Sequence, residues 1–322
     1  MRVVFMGTPE FAVPSLEALV EKRYEVVGVY TRPDKPKGRG RITAQSAVKQ
    51  AAMRLGLPVY QPATLKKPEQ VEQLSQLRPE LIVVAAYGLI LRSAVLELPT
   101  YGCVNVHASL LTRWRGAAPI AWSILEGDRH AGDTIMIMDI GVDTGPTLSQ
   151  VRVPVLPEDT TATLTDKLAR LGAGLLVSTL PLWISGQLHA VPQENEATYA
   201  PMLKPEDALI HWDTPAEHIW RQVRAFQPWP GAHSYWRGKR IIFFETQARP
   251  GDTGAQPGQV LRLADLPDEL RADLRRSPIL VQTGSSLLAV RKLQMEGGRP
   301  LSAEEFVRGH AALVGDILET KE

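Results

Sequence analysis

The segment MRVVFMGTPEFAVPSLEALVEKRYEVVGVYT, residues 1–31, decides the fold class. A short apolar run is followed by a stretch with helical periodicity and by a second apolar run, which is the pattern of a β-α-β unit. Further apolar runs, each followed by a helical pattern, lie at residues 80–88 and 103–109. The run LIVV at 81–84 is typical of a strand that is covered on both faces. We therefore predict an α/β domain built on a doubly wound, mostly parallel sheet.

The C-terminal third has a different pattern. The stretch QLHAVPQENEATYAPMLKPED at 187–207 is polar and shows neither helical nor strand periodicity. Beyond it, Gly and Pro turns separate four runs rich in strand-forming residues: GAHSYWRGKRIIFFETQ, GQVLRL, SPILVQTG and SLLAVRKLQ. These runs predict a small β-barrel or sandwich. The domains are therefore expected at 1–190 and 207–322, joined by a linker at 191–206.

The composition is that of an ordinary globular protein, with 44% hydrophobic residues, 22% charged residues and a net charge of +1. The single cysteine, Cys103, cannot form an internal disulfide. The N-terminal residues lack the apolar core of a signal peptide, and the apolar run at 81–91 is shorter than the roughly 20 residues that cross a bilayer. These features predict a cytoplasmic protein with no membrane partner.

Basic residues are concentrated in one short segment, RPDKPKGRGR at 32–41. Only Asp34 opposes its five cations, which are Arg32, Lys35, Lys37, Arg39 and Arg41. The glycines predict a flexible exposed arm, and clustered cations commonly contact nucleic-acid phosphates. The alternative is a solvated run of charges with no partner. The first βα turn, GTPEF at 7–11, has one glycine instead of the Gly-x-Gly-x-x-Gly fingerprint, so a nicotinamide cofactor is not indicated.

Two polar side chains share one face of the strand predicted within YGCVNVHASLLTRWRGAAPI, residues 101–120. Because side chains alternate along a strand, Asn105 and His107 point to the same side. The strand ends near His107, at the sheet edge where doubly wound proteins bind ligands. An amide and an imidazole both donate hydrogen bonds to a developing oxyanion, which favours acyl transfer. A lone histidine is more often structural, and that alternative stays open.

A third candidate follows in DTIMIMDIGVDTGP at 133–146, where a predicted strand runs into a turn. A carboxylate at Asp143 can orient His107, stabilise its protonated form and anchor a proton-relaying water. Alternatively, Asp143 only closes the turn, and Asp139 is a competing candidate. The sequence has no Gly-x-Ser-x-Gly elbow, no His-Glu-x-x-His motif and no cysteine pair, so neither a serine hydrolase nor a metal site is indicated.

Over nearly its whole length the sequence resembles the methionyl-tRNA formyltransferase family. The motifs that carry the resemblance are GTPEFAVPSLEAL, the GRG-containing basic loop, AYGLIL, NVHASLLTRWRGAAPI, TIMIMDIGVDTGP and RAFQPWPGA. The resemblance implies a first domain of the folate formyltransferase type and a C-terminal OB-like barrel that binds tRNA. It also implies 10-formyltetrahydrofolate as formyl donor and charged initiator methionyl-tRNA as acceptor, for translation initiation. Neither a metal nor an obligate protein partner is implied.

The family motifs map onto named positions of this chain. The Asn-x-His and downstream Asp-Thr-Gly patterns match the catalytic trio Asn105, His107 and Asp143. The folate pocket corresponds to two loops, with residues Ser109, Leu110, Leu111, Thr112, Tyr87, Gly88, Leu89 and Ile90. The tRNA-acceptor loop corresponds to residues 32–49, where Arg39 is expected to matter most. In the second domain, cations near Trp236 are candidates for phosphate contact: Arg237, Lys239 and Arg240, with Arg291 and Lys292 on a later strand.

The sequence departs from the family in three places. Thr112 stands where the family generally has proline, and Gln45 and Ala47 also replace usual prolines. The segment LADLPDELRADLRRSP at 263–278 is longer than the usual hairpin and is expected to form a surface helix. Two rival functions remain. One is a formyltransferase acting on a sugar nucleotide or small amine, for which the trio would look the same. The other is a non-catalytic RNA-binding protein, which would leave the trio unexplained.

Overall fold

The computed structural model describes residues 1–37, 42–194, 196–262, 266, 271 and 279–320. The chain forms two compact units, each made of three chain segments. The first comprises Met1–Pro119, His130–Pro154 and Leu164–Pro201. The second comprises Ile120–Arg129, Val155–Thr163 and Met202–Glu322. The domain boundaries predicted from the sequence, at 190 and 207, stay a prediction.

The first unit is built on a mostly parallel sheet. Its strands are β1 (Arg2–Gly7), β2 (Glu25–Tyr30), β3 (Lys35–Lys37), β4 (Ile42–Ala44), β5 (Val59–Tyr60), β6 (Leu81–Ala85), β7 (Cys103–His107), β8 (Arg115–Gly116), β9 (His130–Ile137), β10 (Thr147–Pro154) and β11 (Tyr199–Ala200). Seven of them form one sheet in the order β10-β9-β7-β6-β1-β2-β5. Pairing is parallel from β5 to β7, and β9 and β10 join antiparallel. The predicted doubly wound, mostly parallel sheet is confirmed.

Helices alternate with these strands, as the sequence pattern predicts. They are α1 (Val13–Glu21), α2 (Ala47–Arg54), α3 (Pro68–Ser75), α4 (Ser93–Leu96), α5 (Pro119–Leu125) and α6 (Thr161–Ile184), and a 3-10 turn at Glu10–Ala12 precedes α1. All of α5 except Pro119 belongs to the second unit. α2 begins at a side-chain cap, because the Ser46 hydroxyl accepts from the Lys49 amide at 3.0 Å. All five residues of β6 are buried, so this central strand forms part of the core.

Helix α6 is 24 residues long and, by length and composition alone, apolar enough to cross a membrane. Core helices of globular proteins pass the same test, and the contacts of α6 are of that kind. Leu168 is fully buried. A side chain at Gly172 would begin 2.9 Å from Val106 and 3.1 Å from the Asp133 carboxyl carbon, so the glycine lets α6 approach β7 and β9 closely. The helix covers the face of the sheet opposite to Asn105 and His107.

The basic segment 32–41 contains one short strand, β3, and a second, β4, follows it directly. β3 and β4 pair antiparallel, with Lys35 opposite Ala44. The sequence reading of a flexible arm did not include this pairing, because three-residue strands give no visible alternation. Arg39 and Arg41 lie outside the described residues, as does most of the segment at 263–278.

The second unit contains an antiparallel half-barrel, which agrees with the predicted β-rich second domain. Its strands are β12 (His233–Trp236), β13 (Lys239–Arg249), β14 (Val260–Leu261), β15 (Ile279–Gln282), β16 (Leu287–Met295) and β17 (Leu301–Ser302). The order is β12-β13-β16-β15-β14, with β17 on β16. Helices α7 (Ala216–Ala225) and α8 (Ala303–Gly309) and 3-10 turns at Pro205–Ala208 and Ala311–Leu313 complete it. A core around Trp212, Ile219, Phe243 and Phe306 joins α7 and α8 to the sheet.

The predicted linker, 191–206, is not a free connection along its whole length. Val191 and Thr147 exchange two backbone hydrogen bonds of 2.8 Å. β11 pairs in parallel with β8, which places Tyr199 opposite Arg115 and Ala200 opposite Gly116. The part of this segment up to Pro201 therefore belongs structurally to the first unit.

Candidate active site

Asn105 and His107 lie on β7, near the carboxyl edge of the parallel strands. Their side chains point to one face, as predicted, and the two residues are only 8% and 6% exposed. β9 runs antiparallel beside them, with Thr134 opposite His107 and Met136 opposite Asn105. The sheet thus fixes both side chains at the edge where α/β proteins bind ligands.

Each ring nitrogen of His107 faces an acceptor. Nε2 lies 3.0 Å from the Trp114 carbonyl oxygen, which can only accept, so Nε2 carries a hydrogen and donates it. Nδ1 lies 3.6 Å from Asp143 Oδ1. That distance is too long for a direct hydrogen bond but suits an ion pair or one bridging water. The two contacts fix the orientation of the ring and leave Nδ1 on the side of Asp143.

The two candidate aspartates have different surroundings. Asp143 Oδ2 accepts from the Gly116 amide at 2.8 Å, while Oδ1 faces His107. Asp139 Oδ1 accepts from the Gly141 amide at 3.0 Å and from the Thr144 hydroxyl at 2.6 Å, so it closes the turn. The structure brings Asp143 to the histidine and gives Asp139 the role of an Asx turn residue.

The side-chain amide of Asn105 has no hydrogen-bond partner in the part of the chain that the structure describes. Its 8% exposure opens it to the site and not to the core. An amide N–H held on a strand and free of other partners can donate to charge that develops on a substrate oxygen. The oxyanion role expected for Asn105 stays a prediction.

The first predicted folate loop, Ser109 to Thr112, is held by side chains of β9 and β10. Thr134 Oγ1 donates to the Ser109 carbonyl at 2.6 Å and accepts from the Leu111 amide at 3.1 Å. Gln150 Nε2 donates to the Leu111 carbonyl at 2.7 Å. The Ser109 hydroxyl donates to a backbone carbonyl, and Leu110 is half-buried. Thr112, where the family generally has proline, donates through its hydroxyl to the Glu196 carbonyl at 3.0 Å.

The second predicted folate loop, Tyr87 to Ile90, follows β6. The Tyr87 side chain lies in the core, only 2% exposed, so Tyr87 offers its backbone to the site and not its ring. Leu89 packs against the same core, whereas Ile90 is 74% exposed. The Thr8 hydroxyl donates to the Tyr87 carbonyl at 2.9 Å. The loop presents backbone groups and an exposed apolar side chain, which suits a flat heteroaromatic ligand.

A shallow cavity of about 330 Å³ lies beside these residues in the first unit. It is lined by residues of three segments: Leu111, Thr112, Thr147, Leu148, Ser149, Gln150, Val191, Pro192, Gln193 and Glu194. It therefore touches the predicted folate loop at Leu111 and Thr112 but not the Asn105–His107 face. Neither Asn105, His107 nor Asp143 lines this cavity, so it is separate from the predicted catalytic residues.

The described residues contain no group of three or more His, Cys, Asp or Glu that could hold a metal ion. The thiol of Cys103 on β7 is buried, and burial raises its pKa to about 12. A thiol with that pKa is a poor nucleophile near neutral pH.

Comparison with known proteins places these features in a family. The family model described as "formyl transferase" matches residues 1–180. The model described as "formyl transferase, C-terminal domain" matches residues 202–311. The methionyl-tRNA formyltransferase of Pelotomaculum thermopropionicum is 46% identical over 319 residues, covering 99% of this chain and 98% of that protein. This chain belongs to the methionyl-tRNA formyltransferase family. The resemblance predicted from its motifs is confirmed.

Two solved structures share the fold of the family. HypX from Aquifex aeolicus in complex with tetrahydrofolic acid has a TM-score of 0.62 at 18% identity over 100% of this chain, which spans 51% of HypX. An N-formyltransferase from Helicobacter canadensis, in complex with folinic acid and dTDP-3-aminofucose, has a TM-score of 0.64 at 16% identity, covering 89% of this chain and 98% of that one. At these identities the likeness is one of fold.

In the acceptor loop expected from the family, the structure describes only some of the predicted cations. Arg32 Nη1 donates to the Gly88 carbonyl at 2.8 Å, so this arginine contacts the second predicted folate loop. Hydrogen bonds from Lys49 and Gln61 lower the pKa of Asp34, which stays an anion inside the basic segment. Lys35 and Lys37 contribute their backbones to β3. The assignment of this loop to tRNA stays a prediction.

Acidic neighbours offset part of the positive charge of the predicted phosphate-binding patch in the second unit. Arg237 stacks over Trp236, 4.9 Å from the ring centre, and Nη2 pairs with Asp316 at 2.8 Å. Lys292 lies 3.7 Å from a Glu245 carboxylate oxygen. Among the remaining predicted cations, Arg291 donates to a glutamine, Lys239 is exposed and Arg240 is half-buried. The role of the patch in RNA binding stays a prediction.

Sequence reasoning missed several residues that shape the site. The backbone groups of Trp114 and Gly116 contact His107 and Asp143, and Thr134 and Gln150 hold the first folate loop. Alternation places Thr134 on one face of its own strand, but its position opposite His107 depends on the register of β9 against β7, which the sequence does not show. Gln193 lies in the polar stretch read as linker, where no periodic signal marks it.

Proposed function

We propose that this chain transfers a formyl group from 10-formyltetrahydrofolate to the free amino group of methionine esterified to initiator tRNA. The observation that carries the proposal is the arrangement of Asn105, His107 and Asp143 at the carboxyl edge of the sheet. The 46% identity to a methionyl-tRNA formyltransferase, which extends through both units, supports tRNA as the acceptor. Translation initiation in the cytoplasm is the setting that this reaction implies.

The two residues of β7 stabilise the charge that develops on the formyl oxygen. In the proposed reaction the methionyl amine attacks the formyl carbon, a new C–N bond forms and the bond to the folate nitrogen breaks. Negative charge passes through the former carbonyl oxygen, and the unpaired Asn105 amide donates to it. Once His107 Nδ1 has taken up a proton, it donates a hydrogen bond to the same oxygen, and Asp143, 3.6 Å away, stabilises the charged ring.

His107 and Asp143 also manage the protons. The attacking amine loses one proton and the departing folate nitrogen gains one, so no net proton is consumed. The bond from Nε2 to the Trp114 carbonyl keeps one ring position protonated, which leaves Nδ1 as the position for proton transfer. The carboxylate of Asp143 stabilises the ring when it carries both protons. No covalent intermediate with the enzyme is needed.

The two loops beyond β6 and β7 hold the folate in this proposal. β6 and β7 are adjacent and parallel, so Gly88–Ile90 and Leu110–Thr112 follow neighbouring carboxyl ends. Backbone groups of these loops and the exposed Ile90 suit a planar ring with several hydrogen-bonding atoms. The tetrahydrofolic acid complex of HypX supports this class of ligand. Neither a metal, a membrane nor an obligate protein partner has a role in the proposed reaction.

The test compares acceptors directly. Purified protein is incubated with 10-formyltetrahydrofolate and with charged initiator tRNA, uncharged tRNA or a dTDP-amino sugar. Tetrahydrofolate release and formylmethionyl-tRNA are then measured. We expect both products only with the charged tRNA, and the Asn105→Ala variant serves as the inactive control. Formylation of the amino sugar, with no product from charged tRNA, would replace the proposal by the sugar nucleotide alternative.

A further inference from the structure

Gln193 uses every hydrogen-bonding group of its side-chain amide within the first unit. Nε2 donates to the backbone carbonyls of Asp143 at 2.9 Å and of Gly145 at 2.7 Å. Oε1 accepts from Arg115, at 3.1 Å from Nε and 2.8 Å from Nη2. A primary amide has two donor hydrogens and an oxygen with two lone pairs, so the set is complete.

The partners fix the orientation of this amide. Carbonyl oxygens only accept, and a guanidinium only donates. Exchanging the nitrogen and oxygen of Gln193 would therefore oppose like groups at all four contacts. The charged donor on the oxygen side also strengthens that half of the network. Gln193 is thus a specific bridge between Arg115 and the turn at 143–145, and not a surface glutamine in casual contact.

The turn that Gln193 holds has an unfavourable backbone conformation. Asp143 has a φ of +53°, in the left-handed region that only a few per cent of residues with a side chain adopt, Asp and Asn among the most frequent. Such a conformation persists only where surrounding contacts determine it. The Gln193 bond fixes the Asp143 carbonyl and hence the peptide plane that follows it. The side chain of Asp143 is then directed toward Gly116 and His107.

The same chain segment supports Asp143 from a second side. Gly116, whose amide holds the Asp143 carboxylate, belongs to β8, and β11 pairs with β8. Gly116 has a φ of +120°, and a side chain there would begin 2.7 Å from the Ala200 carbonyl. Residues 191–200 therefore contact the backbone of Asp143 through Gln193 and its carboxylate partner through β11.

We propose that Gln193 is a positioning residue, which sets the separation of Asp143 and His107 by holding the Asp143 turn, with Arg115 holding Gln193 in turn. Its effect on catalysis rests on the proposed function, whereas its effect on His107 rests on geometry alone. The segment that the sequence presents as a linker thereby becomes part of the support of the active site.

Replacing Gln193 is expected to displace Asp143 without removing it, so the loss of kcat should be moderate. A shift of about 1 Å at a reacting group can cost about 100-fold in rate. We expect Gln193→Ala to lower kcat by roughly 10- to 100-fold and to change the KM for either substrate less than about threefold. A rate effect with little KM effect is what a positioning role predicts.

Three variants separate positioning from simple space filling. Gln193→Glu keeps the size of the side chain and an acceptor for Arg115, but it loses both donors to the turn. Gln193→Ala removes the whole bridge. Gln187→Ala is the matched control, because Gln187 is an exposed glutamine that makes none of these contacts. For each variant we would measure kcat, both KM values, the melting temperature and the ring ¹⁵N chemical shifts of His107.

Both Gln193 variants should lose rate and shift the His107 ring signals, while Gln187→Ala matches the parent. If truncation to Ala disturbs folding, Gln193→Glu carries the test. Normal kcat and unchanged His107 signals in Gln193→Glu would overturn the proposal. The ring signals need no substrate, so they still respond to Gln193 if the acceptor proves to be something other than tRNA. Failure of this inference is therefore distinguishable from failure of the proposed function.

Discussion

The site combines residues placed by a strand with residues placed by turns. Asn105 and His107 are positioned by β7, which pairs with β6 on one side and β9 on the other. Asp143 is positioned by contacts from far along the chain, 27 residues away at Gly116 and 50 residues away at Gln193. A strand fixes its side chains by local alternation, whereas a turn needs partners from elsewhere. The two halves of the site should therefore respond differently to substitution.

The largest effect is expected for the strand side of the site, the two residues that β7 positions. Replacing His107 or Asn105 by Ala should lower kcat by roughly 100- to 10,000-fold, because each removes a donor aimed at the developing charge. Substrate affinities should change little. Steady-state kinetics together with binding of a folate analogue measures both quantities. His130→Ala, at the exposed start of β9, is the control. Near-normal turnover in both β7 variants would remove them from the chemistry.

The turn side should show a smaller but clear effect that distinguishes its two aspartates. Asp143→Asn keeps the size of the side chain but removes the charge facing His107, and we expect a loss of roughly 100-fold in kcat. Asp139→Asn keeps an acceptor for Gly141 and Thr144, so its kcat should fall less than about threefold. Parallel kinetics of the two variants checks this order. The reverse order would mean that the ion-pair geometry around His107 does not reflect the working enzyme.

The sequence allowed prediction of the strand side and left the turn side open. Alternation alone put Asn105 and His107 on one face, and apolar runs alone placed β1, β2, β6 and β7. Reasoning from the residues alone left Asp143 and Asp139 as alternatives, because the choice depends on the Gly116 amide and on Gln193. The resemblance to the family pointed to Asp143. In the second unit the strands were predicted from β-forming runs. Helix α7 was missed, although Ala216, Ile219 and Val223 recur at helical spacing and form its buried face.

Two arginines of the basic segment, Arg39 and Arg32, should affect different substrates. Arg39→Ala is expected to raise the KM for charged tRNA roughly tenfold and to lower the salt slope of tRNA binding by about one unit. Arg32 donates to the Gly88 carbonyl, so Arg32→Ala should weaken folate binding by about threefold to tenfold. Separate titrations of tRNA and of a folate analogue measure the two effects. A folate defect in Arg39→Ala would contradict its assignment to tRNA.

The smallest effect on rate is expected from Asp133, the neighbour of Thr134 on β9. Thr134 faces the site, whereas Asp133 is fully buried on the α6 side, and neither of its carboxylate oxygens has a hydrogen-bond partner among the described residues. Burial raises the pKa of Asp133 well above its usual value. At a pH between the pKa of Asp133 in the unfolded chain and its raised pKa in the folded protein, the folded protein therefore keeps a proton that the unfolded chain has released.

This difference in proton binding makes stability depend on pH in a defined direction. Because the folded state binds the extra proton, the free energy of unfolding falls as pH rises from about 4, the ordinary range of an unfolded aspartate, towards the raised pKa of the folded state.

Asp133→Val removes both the titration and the unpartnered oxygens, and it leaves a strand-forming side chain against Gly172. At pH 8 the variant should be more stable by about 1–3 kcal/mol, with kcat within about twofold of the parent. Denaturant unfolding at several pH values measures the slope, and Glu97→Val, a substitution outside β9, controls for the loss of one negative charge. A parent whose stability rises across this pH range, or one matched by Asp133→Val at every pH, would show that Asp133 is not the buried acid that the structure describes.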